Sequence, residues 1–234
     1  MARIVNEQEF KARRNQILDV TRKLIYTRGF QQMSIQDILV EMQMSKGAFY
    51  HYFSSKPDLL EALLDRMVEE AVGMTLPIFQ DERKTALEKL RGWYDASAAW
   101  KRAQKDYLMA LVKAWYADDN AILRQKMFTK EIQHIGPLIA GVLRQGIQQG
   151  ELNTLHPEHT AEAILYLFSG LGDKFSAVLI AYSAESDPEQ RARLVNSVED
   201  AVEAYSDTIE KVLGAPRGSL LLMDFKTVRA WFER

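Results

Sequence analysis

The chain has 234 residues, 47% of them hydrophobic and 26% charged, a balance that allows a sizeable core and excludes a disordered polymer. It contains no Cys, which excludes disulfides and thiolate metal sites. The net charge of −2 hides an asymmetry: residues 1–56 hold nine Lys and Arg against five Asp and Glu, a charge of +4, so this part suits a polyanionic partner.

Helical periodicity dominates the chain. Apolar residues recur at the 3.6-residue spacing in nearly every segment, and no segment sustains a period of two, which predicts an all-α fold. The first predicted helix covers residues 10–27 and stops at Gly29. The second begins after Ser34, its N-cap, with Asp37 as the partner in a capping box.

A tight turn and a third, very short helix follow. The turn lies at residues 43–44, and the helix runs from Ser45, its N-cap, to residue 52, with Phe49 and Phe53 pointing inward. Its other side carries a cation, a hydroxyl and an imidazole: Lys46, Tyr50 and His51. A short helix that a partner helix holds rigidly, and that carries such groups, fits the major groove of DNA.

The fourth predicted helix starts at residues 55–58, with a second capping box and Pro57 in its first turn, and ends at Pro77. We place the domain boundary inside this helix. The prediction is a three-helix helix-turn-helix DNA-binding domain over residues 1–56 and a larger helical domain over residues 57–234. A stiff helix across the boundary can carry a movement from one domain to the other.

Long helices are predicted for the rest of the chain. They cover residues 82–100, 104–116, 119–149, 157–181 and 188–213. We expect Gly136 and Pro137 to interrupt the third of them, because Pro removes a helical hydrogen bond. The tail, residues 220–234, is apolar enough to pack on this body and to form a short helix.

The first part of the chain resembles the TetR family of bacterial transcriptional regulators. The resemblance rests on residues 29–30 (GF), 34–38 (SIQDI), 45–53 (SKGAFYHYF) and 56–60 (KPDLL). Looser likenesses in the body are residues 145–152 (QGIQQGEL) ahead of Pro157, and residues 168–171 (FSGL). Two features depart from the family pattern: Ala48 stands where a hydroxyl residue is frequent, and the tail after Gly214 is longer than the family minimum.

This resemblance implies an all-helical homodimer with a helix-turn-helix head and a larger body for ligand binding and dimerisation. In the family, the last two long body helices usually form a four-helix dimer interface. A small molecule bound in the body usually changes the separation of the heads and releases a palindromic DNA operator. We therefore expect a ligand-responsive regulator, a repressor, whose partners are double-stranded DNA, a small effector and a second copy of the chain.

The candidate DNA contacts lie in the first 56 residues. Lys46 is placed to reach guanine or a phosphate, Gly47 to allow close backbone approach, and Tyr50 matches a family tyrosine that bonds a phosphate. The full candidate set is Ser34, Gln36, Ser45, Lys46, Gly47, Ala48, Tyr50, His51 and Lys56. The alternatives are solvated surface positions for Lys46, His51 and Lys56, and core packing for Tyr50. Arg13 and Arg14 are candidates for a flexible arm in a neighbouring groove.

The candidate effector site is a set of aromatic and Met residues with one polar anchor. Its members are Trp93, Trp100, Tyr107, Met109, Trp115, Met127, Phe128 and His134. Such walls accept apolar or planar ligands of varied shape. The alternative for each residue is ordinary core packing, or for His134 a satisfied core or surface position.

The candidate dimer interface lies on the last two long helices. Its members are Ile164, Phe168, Leu171, Phe175, Val198, Val202, Tyr205 and Ile209. The small residues Ser169, Gly170 and Gly172 let two helices approach closely. A palindromic operator requires a twofold protein, which favours an interface over the alternative of packing within one chain.

Two other classes of protein compete with this interpretation. For an enzyme, the sequence has no P-loop, no dinucleotide-binding glycine pattern and no nucleophile elbow; His156 and His159 flank a helix start at Pro157 and make a weak metal site. We predict no enzymatic activity, no cofactor and no metal. A helical interaction or scaffold protein without an effector would leave the basic first segment unexplained. Retention on DNA that weakens steeply with salt separates a regulator from both.

Charged residues interrupt the apolar runs of the sequence. Near the start, Arg3 and Glu7 leave no signal-peptide core, and residues 161–181 contain Glu162, Asp173 and Lys174. No uncharged apolar stretch reaches the ~18 residues of a membrane span. We therefore expect a cytoplasmic protein with no membrane partner.

Overall fold

A computed structural model describes residues 7–103, 105, 108–109, 112 and 115–233, and within them the secondary structure is helical, without strands. The first half contains α1 Glu7–Arg28, α2 Ile35–Glu41, α3 Lys46–Tyr50, α4 Lys56–Phe79 and α5 Ala86–Ala103. After a single 3₁₀ turn at Asp118–Asn120 come α6 Ala121–Gln148, α7 Pro157–Ala184, α8 Pro188–Leu213 and the short α9 Phe225–Ala230. The prediction of an all-α fold is confirmed.

Capping residues set the ends of the helices in the first half. Ser34 accepts a hydrogen bond from the Asp37 N–H at 3.2 Å, and the Asp37 carboxylate accepts the Ser34 N–H at 2.8 Å, which is the predicted capping box. At the start of α4 the arrangement is offset by one residue. Ser55 accepts from the Asp58 N–H at 3.2 Å, but the Asp58 carboxylate accepts the N–H of Ser54 at 2.7 Å.

Two predicted helix breaks at proline are wrong. Pro77 lies inside α4, which ends two residues later, and Pro137 lies inside an uninterrupted α6. An interior Pro costs about 3 kcal/mol. Around Pro137 this cost is offset because the same helix buries Ile139 and Leu143 completely, and each such side chain contributes about 1.5–3 kcal/mol.

The chain divides into two compact units. The first unit contains the described residues within Met1–Glu69 and Lys113–Met127, and the second unit those within Glu70–Val112 and Phe128–Arg234. The first unit is thus larger than the segment 1–56 that we predict to bind DNA. That prediction concerns function, and it stays a prediction.

The first unit has one apolar core with a distant segment built into it. Leu123 is buried in the core, and Trp115 packs against it with its ring 6.1 Å from that of Tyr26. Asn120 is fully buried, and its side-chain oxygen accepts the Phe30 N–H at 2.8 Å. Residues 115–127 therefore complete the fold of the helices at the N-terminus.

The second unit is built around α7 and α8, with the tail packed on it as predicted. Leu220 and Val228 of the tail are fully buried. The Glu210 carboxylate of α8 accepts the N–H groups of Gly218 and Leu220 at 2.8 and 2.7 Å, and so fixes the path of the chain after α8.

Helix α7 is long and apolar enough to cross a membrane by length and composition, with a mean hydropathy of 1.5 over its best window. One such helix is weak evidence for a membrane span, because a core helix passes the same test. In this structure Ile164 and Leu165 of α7 are buried in the core of the second unit.

Candidate DNA-binding surface

Helix α3 is held on α2 by a short turn and one buried ring. Gln43 adopts a left-handed backbone conformation with φ of 48°, and the Met44 N–H donates to the Leu39 carbonyl at 3.0 Å. Phe49 is fully buried in the core of the first unit, as predicted. The Ser45 hydroxyl accepts the Ala48 N–H at 3.2 Å and caps α3, so this five-residue helix is fixed at both ends.

The outer side of α3 is open. Ser45, Lys46, Gly47 and Ala48 are exposed, and Tyr50 keeps 44% of its surface accessible. The Lys46 ammonium lies 6.0 Å from the centre of the Tyr50 ring. A Cβ on Gly47 would meet no atom within 4 Å, so the backbone there is free of its own chain. These groups form one exposed, cationic, hydroxyl-bearing face.

Two ion pairs attach α2 to α1. Arg28 binds Asp37 at 2.5 Å, and Lys23 binds Glu41 at 2.6 Å. The hydrogen bonds from Ser34, together with Arg28, hold the pKa of Asp37 below its ordinary value, so it stays ionised. Ser34 itself is occupied as a cap, whereas Gln36 is exposed on the next turn.

His51 and Lys56 have partners within the first unit. The His51 ring meets the Phe10 and Tyr52 rings edge-on at 5.5 and 5.2 Å. The Lys56 ammonium donates to the Gln31 carbonyl at 3.2 Å and lies 4.6 Å from the centre of the Phe30 ring, and burial lowers the pKa of Lys56. A phosphate contact by Lys56 would therefore compete with its attachment to the α1–α2 loop.

The expectation of a flexible arm is wrong for Arg13 and Arg14, because both lie inside α1. Arg13 donates to Gln16 at 2.8 Å, and the Arg14 guanidinium lies 4.9 Å from the centre of the Phe53 ring. Helix α1 begins three residues earlier than predicted, at Glu7, so these cations are part of the fold.

The candidate effector residues that the structure describes are divided between the two units. Trp115 and Met127 pack against the core of the first unit, whereas Trp93, Met109 and Phe128 belong to the core of the second unit. Trp100 is 42% exposed and His134 is also exposed. Tyr107 lies outside the described residues. An effector site in the second unit could therefore use only the candidates that belong to that unit.

Five of the eight candidate interface residues are buried inside their own chain. They are Ile164, Leu171, Val198, Val202 and Ile209. Phe168, Phe175 and Tyr205 are partly buried and pack against the same core. These side chains hold α7 on α8 and have little surface left for a partner. Gly170 also acts within the chain, since a Cβ there would lie 3.2 Å from the Tyr205 hydroxyl.

The sequence interpretation missed a group of ionisable side chains in the second unit. Tyr94, Lys101 and Glu131 were not candidates, and Phe168, which Tyr94 and Lys101 both contact, was assigned to the dimer interface. A signal was available: Lys101 falls seven residues after Tyr94, on the apolar stripe of α5, where a charge is unexpected.

The described residues contain no group of three or more His, Asp or Glu side chains able to hold a metal ion.

The chain is similar in sequence to known proteins, and the similarity includes the exposed helix α3. Residues 17–63 match the model of the family described as bacterial regulatory proteins, tetR family. The HTH-type transcriptional regulator YuxN of Bacillus subtilis (strain 168) is 26% identical over 212 residues, covering 86% of this chain and 67% of the relative. An HTH-type regulator of Lactococcus lactis subsp. lactis, from the lacX 3' region, is 43% identical over 56 residues, 24% of this chain and 29% of the relative.

The fold has counterparts among solved structures. Salmonella enterica GusR superposes with a TM-score of 0.58 at 21% sequence identity, covering 91% of this chain and 99% of that one. At this level of identity the likeness establishes a shared fold: an N-terminal helix-turn-helix followed by a helical body.

Proposed function

Because the chain belongs to the TetR family of bacterial transcriptional regulators, we propose that it is a cytoplasmic, ligand-responsive repressor that binds a palindromic operator as a homodimer. The observation that carries the DNA contacts is the exposed face of α3, with Lys46, Gly47 and Tyr50 on a helix whose inner side is fixed by Phe49. This face is where base edges and phosphates would be read.

Each group on this face has a distinct task. Lys46 donates to guanine acceptors or to a phosphate, and the Tyr50 hydroxyl donates to a phosphate. Gly47 lets the backbone approach the groove because its own chain leaves the space open. Gln36 and the amino end of α2 are placed to contact the phosphate backbone.

The direct test is selection of bound fragments from random DNA duplexes by the full chain. The expected result is a palindrome whose half-sites are spaced by about 10–10.5 base pairs or a multiple, because each subunit places one α3 in a major groove. Affinity for the selected duplex should fall steeply with salt. Salt-independent retention, or no enriched sequence, would contradict the proposal.

Substitutions on α3 then test the assignments. Lys46→Ala should cost about 1–3 kcal/mol of binding and relax the preference at one base pair. Tyr50→Phe should weaken binding to all sequences about equally. Lys226→Ala, at an exposed position on α9, is the matched control. If the double variant Lys46→Ala, Tyr50→Phe binds the selected duplex as tightly as the unaltered protein, these residues are not the contacts.

The surface for a second copy is the outward side of α7 and α8. Tyr166 is 61% exposed, and Ala163, Ala177 and Ala181 lie on the same exposed side of α7, with the charged Asp173 and Lys174 between them. On α8, exposed Ala204, Thr208 and Val212 follow at four-residue spacing. Small and apolar side chains along two adjacent helices let two such pairs pack closely into a four-helix interface.

A charge introduced on this surface tests whether it forms the dimer interface. Ala177→Arg should convert a dimer into a monomer in analytical ultracentrifugation and weaken operator binding, because two half-sites would no longer be bound together. Lys226→Glu, an exposed charge reversal on α9, is the control. A dimer that survives Ala177→Arg and Tyr166→Arg together would place the interface elsewhere.

The second unit is the proposed effector domain. Its core contains Trp93 and Phe168, whose ring centres are 5.5 Å apart, and partly buried Phe128 lies on the adjoining α6. An apolar or aromatic compound bound there would bias the dimer away from the operator-binding form. A bound compound that leaves operator affinity unchanged would reject this coupling.

A further inference from the structure

Three polar groups share an aromatic neighbourhood inside the second unit. The Tyr94 ring stacks on Phe168 with centres 5.7 Å apart, and Trp93 lies 5.5 Å from the same ring. The Lys101 ammonium lies 5.1 Å from the centre of the Phe168 ring. Glu131, on α6, interacts with Lys101 through its charge. One phenylalanine is thus bordered by a tyrosine, a tryptophan and a cation.

The polar groups are poorly satisfied by the protein. The Tyr94 hydroxyl is buried and has no hydrogen-bond partner among the described residues. Burial lowers the pKa of Lys101 and raises that of Glu131, so each group is held where its charged form is penalised. An unsatisfied buried hydroxyl costs about 1–3 kcal/mol, and a desolvated ion pair brings little net stability.

A stable core alone does not account for this arrangement, because apolar side chains would fill the same space at lower cost. Ionisable groups with shifted protonation, gathered among aromatic rings, are typical of ligand sites. Lys101, Glu131 and Phe168 are only partly buried, so each keeps some accessible surface.

We propose that Tyr94, Lys101 and Phe168 form the polar end of the effector site, and that the effector is a planar aromatic carboxylate. This inference rests on the proposed function, and it names the class of compound that would act as the effector. The ligand ring packs against Trp93 and Phe168, and its carboxylate accepts hydrogen bonds from the Lys101 ammonium and the Tyr94 hydroxyl. Glu131 is the counter-ion of Lys101 when no ligand is bound.

The charges decide against other ligand classes. The Lys101 ammonium already lies by the Phe168 ring, so a cationic ligand on that ring would be repelled by it. A neutral planar compound would leave the ammonium without a new partner. A carboxylate supplies an acceptor for the unpartnered Tyr94 hydroxyl and can replace Glu131 as the partner of Lys101.

The test compares three naphthalene probes on the full-length protein by calorimetry and thermal shift. They are 1-naphthoate, the neutral 1-naphthamide and the cationic 1-naphthylmethylammonium. We expect 1-naphthoate to bind at least tenfold more tightly than the amide and the ammonium compound not to bind. Equal binding of the carboxylate and the amide, or no binding by any probe, would overturn the inference.

Variants locate the site. Lys101→Met should abolish the tenfold preference for the carboxylate, whereas Lys226→Met, at an exposed position on α9, should preserve it. Tyr94→Phe should weaken 1-naphthoate binding severalfold without lowering the melting temperature, since only an unpartnered hydroxyl is removed. If the preference for the carboxylate survives Lys101→Met, the assignment of Lys101 to the site is wrong.

Two further outcomes keep the interpretation clear. Should Lys101→Met not fold, Glu131→Gln replaces it: it frees Lys101 and should strengthen 1-naphthoate binding severalfold, and unchanged binding would count against the site. Carboxylate binding that fails to release the selected duplex would reject the proposed repression mechanism but leave the site in place. Absence of any duplex binding would reject the proposed function alone.

Discussion

The two units differ in what they bury. In the part of the chain that the structure describes, the first unit buries only two polar side chains, Thr21 and Asn120. The second unit buries three charged ones, Lys89, Glu199 and Glu210. In the first unit, the ion pairs between α1 and α2 lie at the surface, whereas in the second unit buried carboxylates join distant segments. The helix ends of the first unit are therefore set by local sequence signals, whereas the tail of the second unit is held by long-range pairing.

The largest effect should come from the core of the first unit. Phe49→Ala removes a fully buried ring from α3 and should cost about 3–5 kcal/mol in the free energy of unfolding. Urea denaturation followed by circular dichroism measures it. Tyr50→Phe, on the neighbouring exposed position, should change stability by no more than about 0.5 kcal/mol. Similar costs for both would mean that α3 is not packed as described.

In the second unit, the corresponding test removes a buried charge, where the test in the first unit removes a buried ring. Glu210→Gln leaves one oxygen to accept two N–H groups, from Gly218 and Leu220, and the orphaned donor should cost about 1–3 kcal/mol. The control is Glu203→Gln on the exposed side of α8, where unfolding free energy should hardly change. Equal effects of the two substitutions would show that the tail is not held by Glu210.

A smaller effect is expected at the cap of α3. Ser45→Ala removes the acceptor of the Ala48 N–H and should cost about 1 kcal/mol of stability, with a loss of operator affinity because the amino end of α3 frays. Ser45→Thr keeps a capping hydroxyl and should retain most of both. If Ser45→Ala is neutral in thermal unfolding and in DNA binding, local capping does not control this helix.

The smallest expected effect is a gain in stability. Gln43 has φ of 48°, a region that costs a side-chain-bearing residue roughly 1–2 kcal/mol, so Gln43→Gly should stabilise the protein by up to about 1 kcal/mol. The same replacement at Gln36, inside α2, should destabilise by about 1 kcal/mol. Opposite signs in paired thermal melts would confirm the turn geometry, and equal signs would refute it.

The difference between the units also explains which features could be predicted from the sequence. The box formed by Ser34 and Asp37, the cap at Ser45 and the inward Phe49 each follow from residues three or four apart, and all three predictions are confirmed. Helix interruption at Pro137 was wrong because a local penalty was outweighed by burial along α6.

The proposed effector site could not be predicted in the same way. Trp115 and Trp93 look equivalent in sequence, but they belong to different units, and only the tertiary fold separates them. The predicted interface residues lie on the side of α7 and α8 that packs within the chain, and helical periodicity alone does not distinguish that side from one that faces a partner. Lys101 was overlooked because apolar residues, and not exceptions to their pattern, were sought.

The hydrogen bond from the Phe30 amide to Asn120 has a consequence for modular exchange. A chimera made by transplanting residues 1–69 onto a different helical body would inherit Phe30 without the carboxamide ninety positions downstream that satisfies it. The same dependence applies during synthesis on the ribosome. The first unit cannot complete its fold until residue 127 has emerged. A recombinant protein that keeps this fold would have to carry residues 115–127 together with residues 7–69.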